Sequence, residues 1–271
     1  MMNRLLFSVA LSLVLACSAS GQNAVTPLPH AHAHNDYNHE RPLMDALDHG
    51  FCSVEADIFL VDGELLVAHD REDVHPTRTL QALYLDPLIA RVRANGGRVY
   101  PDGPEFILLV DIKEDGGATY EVLRGVLSNY AEMLTTFTAD STTKGAVTVI
   151  LSGDRPIDVV AAETERVVGI DGRVSDLDGE VNRHLMPLIS DNWRSHFDWF
   201  GTGVMPDDAQ RKLKEITTKA HTAGCIVRFW GIPPREDLWD ALLAGGVDLF
   251  NTDNLAQLQA FLLSKRGNQE G

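Results

Sequence analysis

The sequence predicts a single (β/α)8 barrel, an α/β fold, with a small hairpin and a helical insertion after its second strand. Three observations predict it. Eight strand-like apolar runs recur along the chain with helical segments between them. Polar and charged residues gather at the carboxyl ends of those runs, which is where a parallel barrel places its active site. No Ser/Gly/Pro-rich linker or low-complexity tract divides the 271 residues, so one domain with one large core accounts for the length.

The expected strands are 31–34, 53–59, 105–112, 147–152, 167–171, 185–190, 225–230 and 248–252. Residues 43–47 read as a short helix stopped by Gly50. Ala209, Leu213, Ile216 and Ala220 fall at helical steps before Gly224, residues 236–244 end in Gly245-Gly246, and 254–263 close the chain as an amphipathic helix. Asp62-Gly63 is a hairpin signal that joins 59–61 to 65–67 and carries His69 back over the barrel mouth. The 71–104 segment holds helix-like pieces and reads either as a lid or a wall of the pocket or as an extra helix packed on the rim. An open doubly wound sheet would alternate in the same way, but no glycine-rich phosphate fingerprint follows the first strand.

Residues 5–16 form an apolar run behind Met1-Met2-Asn3-Arg4, which predicts a secretory signal over 1–20 and a barrel domain over 21–271. The run is too short to span a bilayer. It closes on Val14-Leu15-Ala16-Cys17, similar to a bacterial lipobox whose cysteine would carry a lipid; ordinary cleavage near Ser18-Ala19-Ser20 is the alternative. The expected address is extracytoplasmic, as a periplasmic or membrane-anchored lipoprotein or otherwise secreted, with membrane contact only through Cys17. A formal charge of −16 argues against nucleic acid as a partner, although it is compatible with a metal-held phosphodiester. Cys52 and Cys225 sit in apolar runs and read as buried thiols rather than a disulfide.

Glu55 and Asp57 are two residues apart on a strand, so both side chains leave the same face. Inside a barrel they would repel one another and lose their hydration unless a hard divalent cation joined them. Asp111 and Lys113 repeat the spacing at the end of a buried run, adding a third ligand and a cation for an anionic substrate. His34 and His69 are the candidate general acid and base, because imidazole takes and gives protons near neutrality. Asp36 or Asp70 is a candidate to orient them. A rival reading takes His32-Ala33-His34 as the His-x-His of a metal-dependent amidohydrolase, with Asp253 as its acid; that site also needs histidines after the fifth and sixth strands, where none stands.

These residues resemble the superfamily of glycerophosphodiester phosphodiesterases and phosphatidylinositol-specific phospholipases C. His34 matches the histidine of its His-Arg-Gly motif, Glu40 its Glu-Asn element, Glu55-Ala56-Asp57 its Glu-x-Asp, His69-Asp70 its His-Asp and Asp111-Ile112-Lys113 its Glu-x-Lys. Phe229-Trp230, Val247-Asp248 and Thr252-Asp253 match its C-terminal signatures. The Ala-His-Asn-Asp-Tyr opening is similar to the branch that includes proteins called altered inheritance of mitochondria protein 6. The resemblance implies a TIM barrel and a phosphoric diester hydrolase for a small glycerophosphodiester- or phosphoinositide-like substrate. It also implies one divalent metal, Ca2+ or Mg2+, on Glu55, Asp57 and Asp111, with His34 and His69 as acid and base. Two departures stand out: Asn35 replaces an arginine that contacts phosphate, and Asp111 replaces a glutamate. Substrate contacts then fall to Asn35, Lys113, Trp230 and Arg228, the last able to supply the charge that Asn35 lacks. The competing class is a non-catalytic ligand-binding lipoprotein on the same barrel, which Asn35 favours and the intact set of acids and histidines opposes.

Overall fold

The computed structural model describes residues 25–267; the signal expected at 1–20, with Cys17, lies outside them. Eight parallel strands make the barrel: β1 (Leu28–Ala33), β2 (Phe51–Val61), β4 (Phe106–Ile112), β7 (Val147–Gly153), β8 (Val168–Gly172), β9 (Leu188–Asn192), β10 (Ile226–Trp230) and β11 (Leu249–Thr252). They run in that cyclic order, and pairing of β1 with both β2 and β11 closes the sheet. Around it lie α1 (Met44–Asp48), α2 (Asp86–Ala94), α3 (Gly116–Leu127), α4 (Ile157–Ala161), α5 (Asp207–Ala223), α6 (Glu236–Gly245) and α7 (Leu255–Gly267). Strand β3 (Glu64–Val67) pairs antiparallel with the end of β2, and Asp62 (φ 51°) with Gly63 (φ 85°) forms the two-residue turn that the Asp-Gly signal predicts. A separate hairpin joins β5 (Thr136–Phe137) to β6 (Thr142–Thr143).

Two apolar cores hold the fold. The larger lies between strands and helices; the smaller, Leu109, Ile150, Leu188 and Leu249 with Ile107 and Ile226 against it, fills the barrel interior. Along β4 and β7, the inward series then becomes polar one step on, at Asp111 and Ser152. The apolar floor therefore sits below a polar mouth.

The 71–104 segment packs against the outside of the barrel as an extra helical piece, not as a lid. Tyr84, Leu85, Leu88, Ile89, Val92, Val99 and Tyr100 are all buried in the outer core. The sixth barrel strand begins at Leu188, later than its apolar run suggests, because Leu185 and Met186 turn their N–H groups to the Asn182 carbonyl and Pro187 has none to give. Cys52 and Cys225 are buried and free. Among the described residues no helix is long and apolar enough to cross a membrane.

Candidate active site

Strand β2 delivers Glu55 and Asp57 to the interior, and its register sets Asp57 beside Asp111 of β4. One carboxylate oxygen from each of the three lies within 4.8 Å of the others. Room for Asp111 comes from Gly153, where a Cβ would meet Asp111 Oδ1 at 2.6 Å. Glu55 and Asp57 are buried and Asp111 half-buried.

The surroundings treat the three acids differently. Glu55 Oε2 accepts from Arg228 Nη1 at 2.8 Å. Burial opposes its charge, but Arg228 beside it holds the carboxyl well below the usual range. Asp57 Oδ2 takes Lys113 Nζ at 2.5 Å and the Tyr37 hydroxyl at 2.6 Å, while its Oδ1 has no partner among the described residues. Burial and the nearby Glu55 charge push Asp57 above the usual range against the pull of Lys113. Burial and Glu55 do the same to Asp111, whose Oδ1 lies 3.2 Å from Lys113 Nζ. Lys113 loses hydration by burial, yet the two aspartates outweigh this and raise its pKa. Three carboxylates thus face two basic side chains, Arg228 and Lys113. An unpartnered buried oxygen, a net negative balance and an all-oxygen donor set fit a hard divalent cation.

His34 follows β1, its backbone N–H on the Thr252 carbonyl and its Nδ1 2.7 Å from Asp253 Oδ1. Burial disfavours its charged form, but the hydrogen bond and charge of Asp253 and the charge of Glu55 prevail, and its pKa is raised. His69 arrives on the hairpin, where Ala68 N–H donates to the Asp57 carbonyl, and its Nδ1 lies 3.1 Å from Asp57 Oδ2. The orienting carboxylates are therefore Asp253 and Asp57, not Asp36 and Asp70. Asp70 is exposed, whereas Asp36 is buried with its Oδ2 accepting from Leu43 N–H and the Tyr84 hydroxyl. Burial pushes the Asp36 carboxyl up to about 6.

His32 plays no part of the kind the amidohydrolase reading requires. Its Nε2 lies 2.6 Å from Arg228 Nη1, and a guanidinium can only donate, so Nε2 accepts and Nδ1–H donates to Ser53 Oγ at 2.7 Å. Burial and Arg228 lower its pKa to about 4, which keeps the ring neutral.

Arg228 is 3% exposed, with Nη1 engaged by Glu55, His32 and Asn251, so its charge answers Glu55 from below the mouth instead of standing open to a substrate. Trp230 ends β10, half-buried and in register with Asn192. Asn35 sits at the mouth in left-handed conformation (φ 46°), 2.9 Å from the Tyr37 hydroxyl. Sequence reasoning gave Tyr37 no role and named Asp253 as the rival site's acid and as part of a C-terminal signature, without pairing it to His34. A single tyrosine in a turn carries no spacing signal, and the His34–Asp253 pair joins residues at opposite ends of the chain.

The fold is a closed barrel similar to those of solved glycerophosphodiester phosphodiesterases and of a phospholipase C. A calcium-dependent phosphoinositol-specific phospholipase C from a Pseudomonas species superposes with a TM-score of 0.58 at 13% identity, covering 85% of this chain and 91% of that one. A glycerophosphodiester phosphodiesterase from Parabacteroides distasonis gives 0.52 at 13% identity, over 88% and 98%. The model of the AIM6-like phosphodiesterase domain matches residues 20–171, and the chain belongs to that family. Altered inheritance of mitochondria protein 6 of Lachancea thermotolerans is 30% identical over 86% of this chain, which spans 66% of that relative's length.

Proposed function

We propose that this protein hydrolyses a small phosphodiester at the barrel mouth with the help of one divalent cation. The observation that carries the reading is the convergence of Glu55, Asp57 and Asp111, with a histidine held through Nδ1 by Asp253 and another by Asp57 beside them. These three carboxylates would hold calcium or magnesium, which when bound supplies Lewis-acid polarisation of a phosphoryl oxygen.

The chain's own side chains perform the proton transfers. A water oxygen bonds to phosphorus as the ester P–O bond to the leaving alcohol breaks. One imidazole takes the proton of the water, or of a substrate hydroxyl that attacks in its place, and the other gives a proton to the leaving alkoxide. A carboxylate on Nδ1 of each ring fixes its orientation and leaves Nε2 to exchange the proton. Lys113, held charged by Asp57 and Asp111, opposes charge that develops on the phosphoryl oxygens. Asn35 offers an amide to the phosphate where the superfamily has a guanidinium, and Trp230 offers an apolar wall to a glycerol or inositol body. The family resemblance supports a glycerophosphodiester- or phosphoinositide-like substrate, and the lipobox-like Cys17 supports an extracytoplasmic, lipid-tethered location.

The test is turnover of bis(4-nitrophenyl) phosphate by the mature chain with and without EDTA, alongside His34→Ala and Glu55→Ala. Activity that falls on chelation and with both substitutions is the expected result. Hydrolysis indifferent to all three would remove the reading, and firm calcium binding with no turnover of any diester would point to a binding protein instead.

A further inference from the structure

Tyr37 lies where the acids meet His69. It is 3% exposed, and its hydroxyl oxygen is 2.6 Å from Asp57 Oδ2, 2.9 Å from Asn35 Oδ1 and 3.2 Å from His69 Nδ1. A phenol has one proton to give and can accept in return. Asp57 is the shortest contact, can only accept when ionised and makes the stronger, charge-assisted bond. The proton therefore goes to Asp57, and the hydroxyl oxygen becomes an acceptor toward its other neighbours. His69 Nδ1 faces that oxygen and, at 3.1 Å, Asp57 Oδ2. Two acceptors facing one ring nitrogen place the proton on Nδ1, which in the neutral ring leaves Nε2 bare. Asn35 completes the set with its amide turned so that Nδ2 donates, a rotation that exchanges two atoms of nearly equal size.

The turn that carries the tyrosine is fixed from outside the site. Arg78 Nη2 donates to the Tyr37 carbonyl at 2.6 Å, and Tyr84 donates to the neighbouring Asp36 at 3.0 Å. Both anchors come from the 71–104 segment. Asn35 precedes the turn in a left-handed conformation that asparagine tolerates better than most residues.

We propose that Tyr37 is a positioning residue. By donating to Asp57 and accepting from His69, it holds Asp57 through Oδ2, leaving Oδ1 available, and fixes His69 with its proton on Nδ1 and Nε2 toward the substrate. The use made of these groups rests on the phosphodiesterase reading; the placement itself does not.

Tyr37→Phe removes the hydroxyl and keeps the ring. In 15N spectra of the histidine-labelled full chain, at a pH where the rings are neutral, His69 is expected in the Nδ1–H form in the wild type and shifted toward Nε2–H in the variant. On a diester that the wild type hydrolyses, kcat is expected to fall about 10–100-fold with KM little changed. Should Tyr37→Phe not fold, Arg78→Met releases the turn from outside the site, and a smaller shift in the same direction is expected. A wild-type His69 protonated on Nε2 would overturn the proposal. So would a variant with lower Tm but unaltered His69 spectrum and kcat, since that is the mark of a purely structural role. If the wild type cleaves no diester, the phosphodiesterase reading alone fails, and the nitrogen spectra still decide the role of Tyr37.

Discussion

Asp57 and Asp171 are the same residue in nearly the same setting, on strands of one barrel with two others between them. Both lie toward the carboxyl end of a strand, both are fully buried, and each has an Oδ1 without a partner. Asp171 Oδ2 accepts from Ser152 Oγ at 2.9 Å, Ser190 Oγ at 2.7 Å and Arg173 Nη1 at 2.9 Å, while its carbonyl receives Arg155. Asp57 is equally well supplied, by Tyr37, Lys113 and His69. The difference is the company of other acids: Glu55 and Asp111 stand beside Asp57, and among the described residues Asp171 belongs to no such cluster. Burial and hydrogen bonding of a carboxylate describe both sides alike. Crowding of like charges singles out the side built to receive something.

The largest expected effect separates the two sides by activity. His34→Ala should lower kcat by about 10²–10⁴-fold, whereas Asp171→Asn, which leaves the cluster and both histidines in place, should keep most of the turnover. An equal loss in both, measured on one chromogenic diester, would abolish the distinction between a reactive side and a structural one.

Stability should divide them next. Glu55→Ala leaves the buried Arg228 guanidinium without its counter-charge, and removing one partner of a buried pair costs about 3–5 kcal/mol. Replacing Glu55 and Arg228 together by methionine should recover much of that loss. Urea midpoints of the single and double variants check this.

A third buried aspartate sharpens the contrast through pH. Asp36 has a folded pKa near 6, above its unfolded value of 3.8, so the folded chain binds the proton more tightly. The stability this gives is present at pH 4 and is lost as pH rises through 6. The wild type should therefore lose roughly 2–4 kcal/mol relative to Asp36→Asn between pH 4 and 7, read from paired urea titrations. The smallest effect belongs to Asp171→Asn, where an acceptor for the two serines survives and only the charge is lost. About 1–3 kcal/mol is expected, seen as a lower Tm.

The sequence carried the barrel because its signals are local. Apolar runs, the Asp62-Gly63 turn and glycines after helices report on neighbours along the chain, and all eight strands lie within about three residues of their expected ends. The i, i+2 spacings of Glu55 with Asp57 and of Asp111 with Lys113 were equally legible, since a strand fixes which side chains share a face. Partnerships across the barrel were not. That Arg228 answers Glu55, that Asp253 holds His34 and that Asp36 turns inward toward Tyr84 all depend on closure, for which no spacing exists in one dimension. The late start of β9 was missed for a different reason: a run of apolar residues does not reveal that Asn182 captures two backbone N–H groups.

The contact between His34 and Asp253 spans 219 residues, nearly the whole chain. It forms only where β11 meets β1, so the first histidine acquires its partner when the last strand docks and the seam shuts. Bringing such distant segments together is slow and depends on everything between them being in order. Without that last strand His34 would have no carboxylate on its Nδ1. Alignment of His34 is in this way a product of barrel closure, present only where the first and last strands lie side by side.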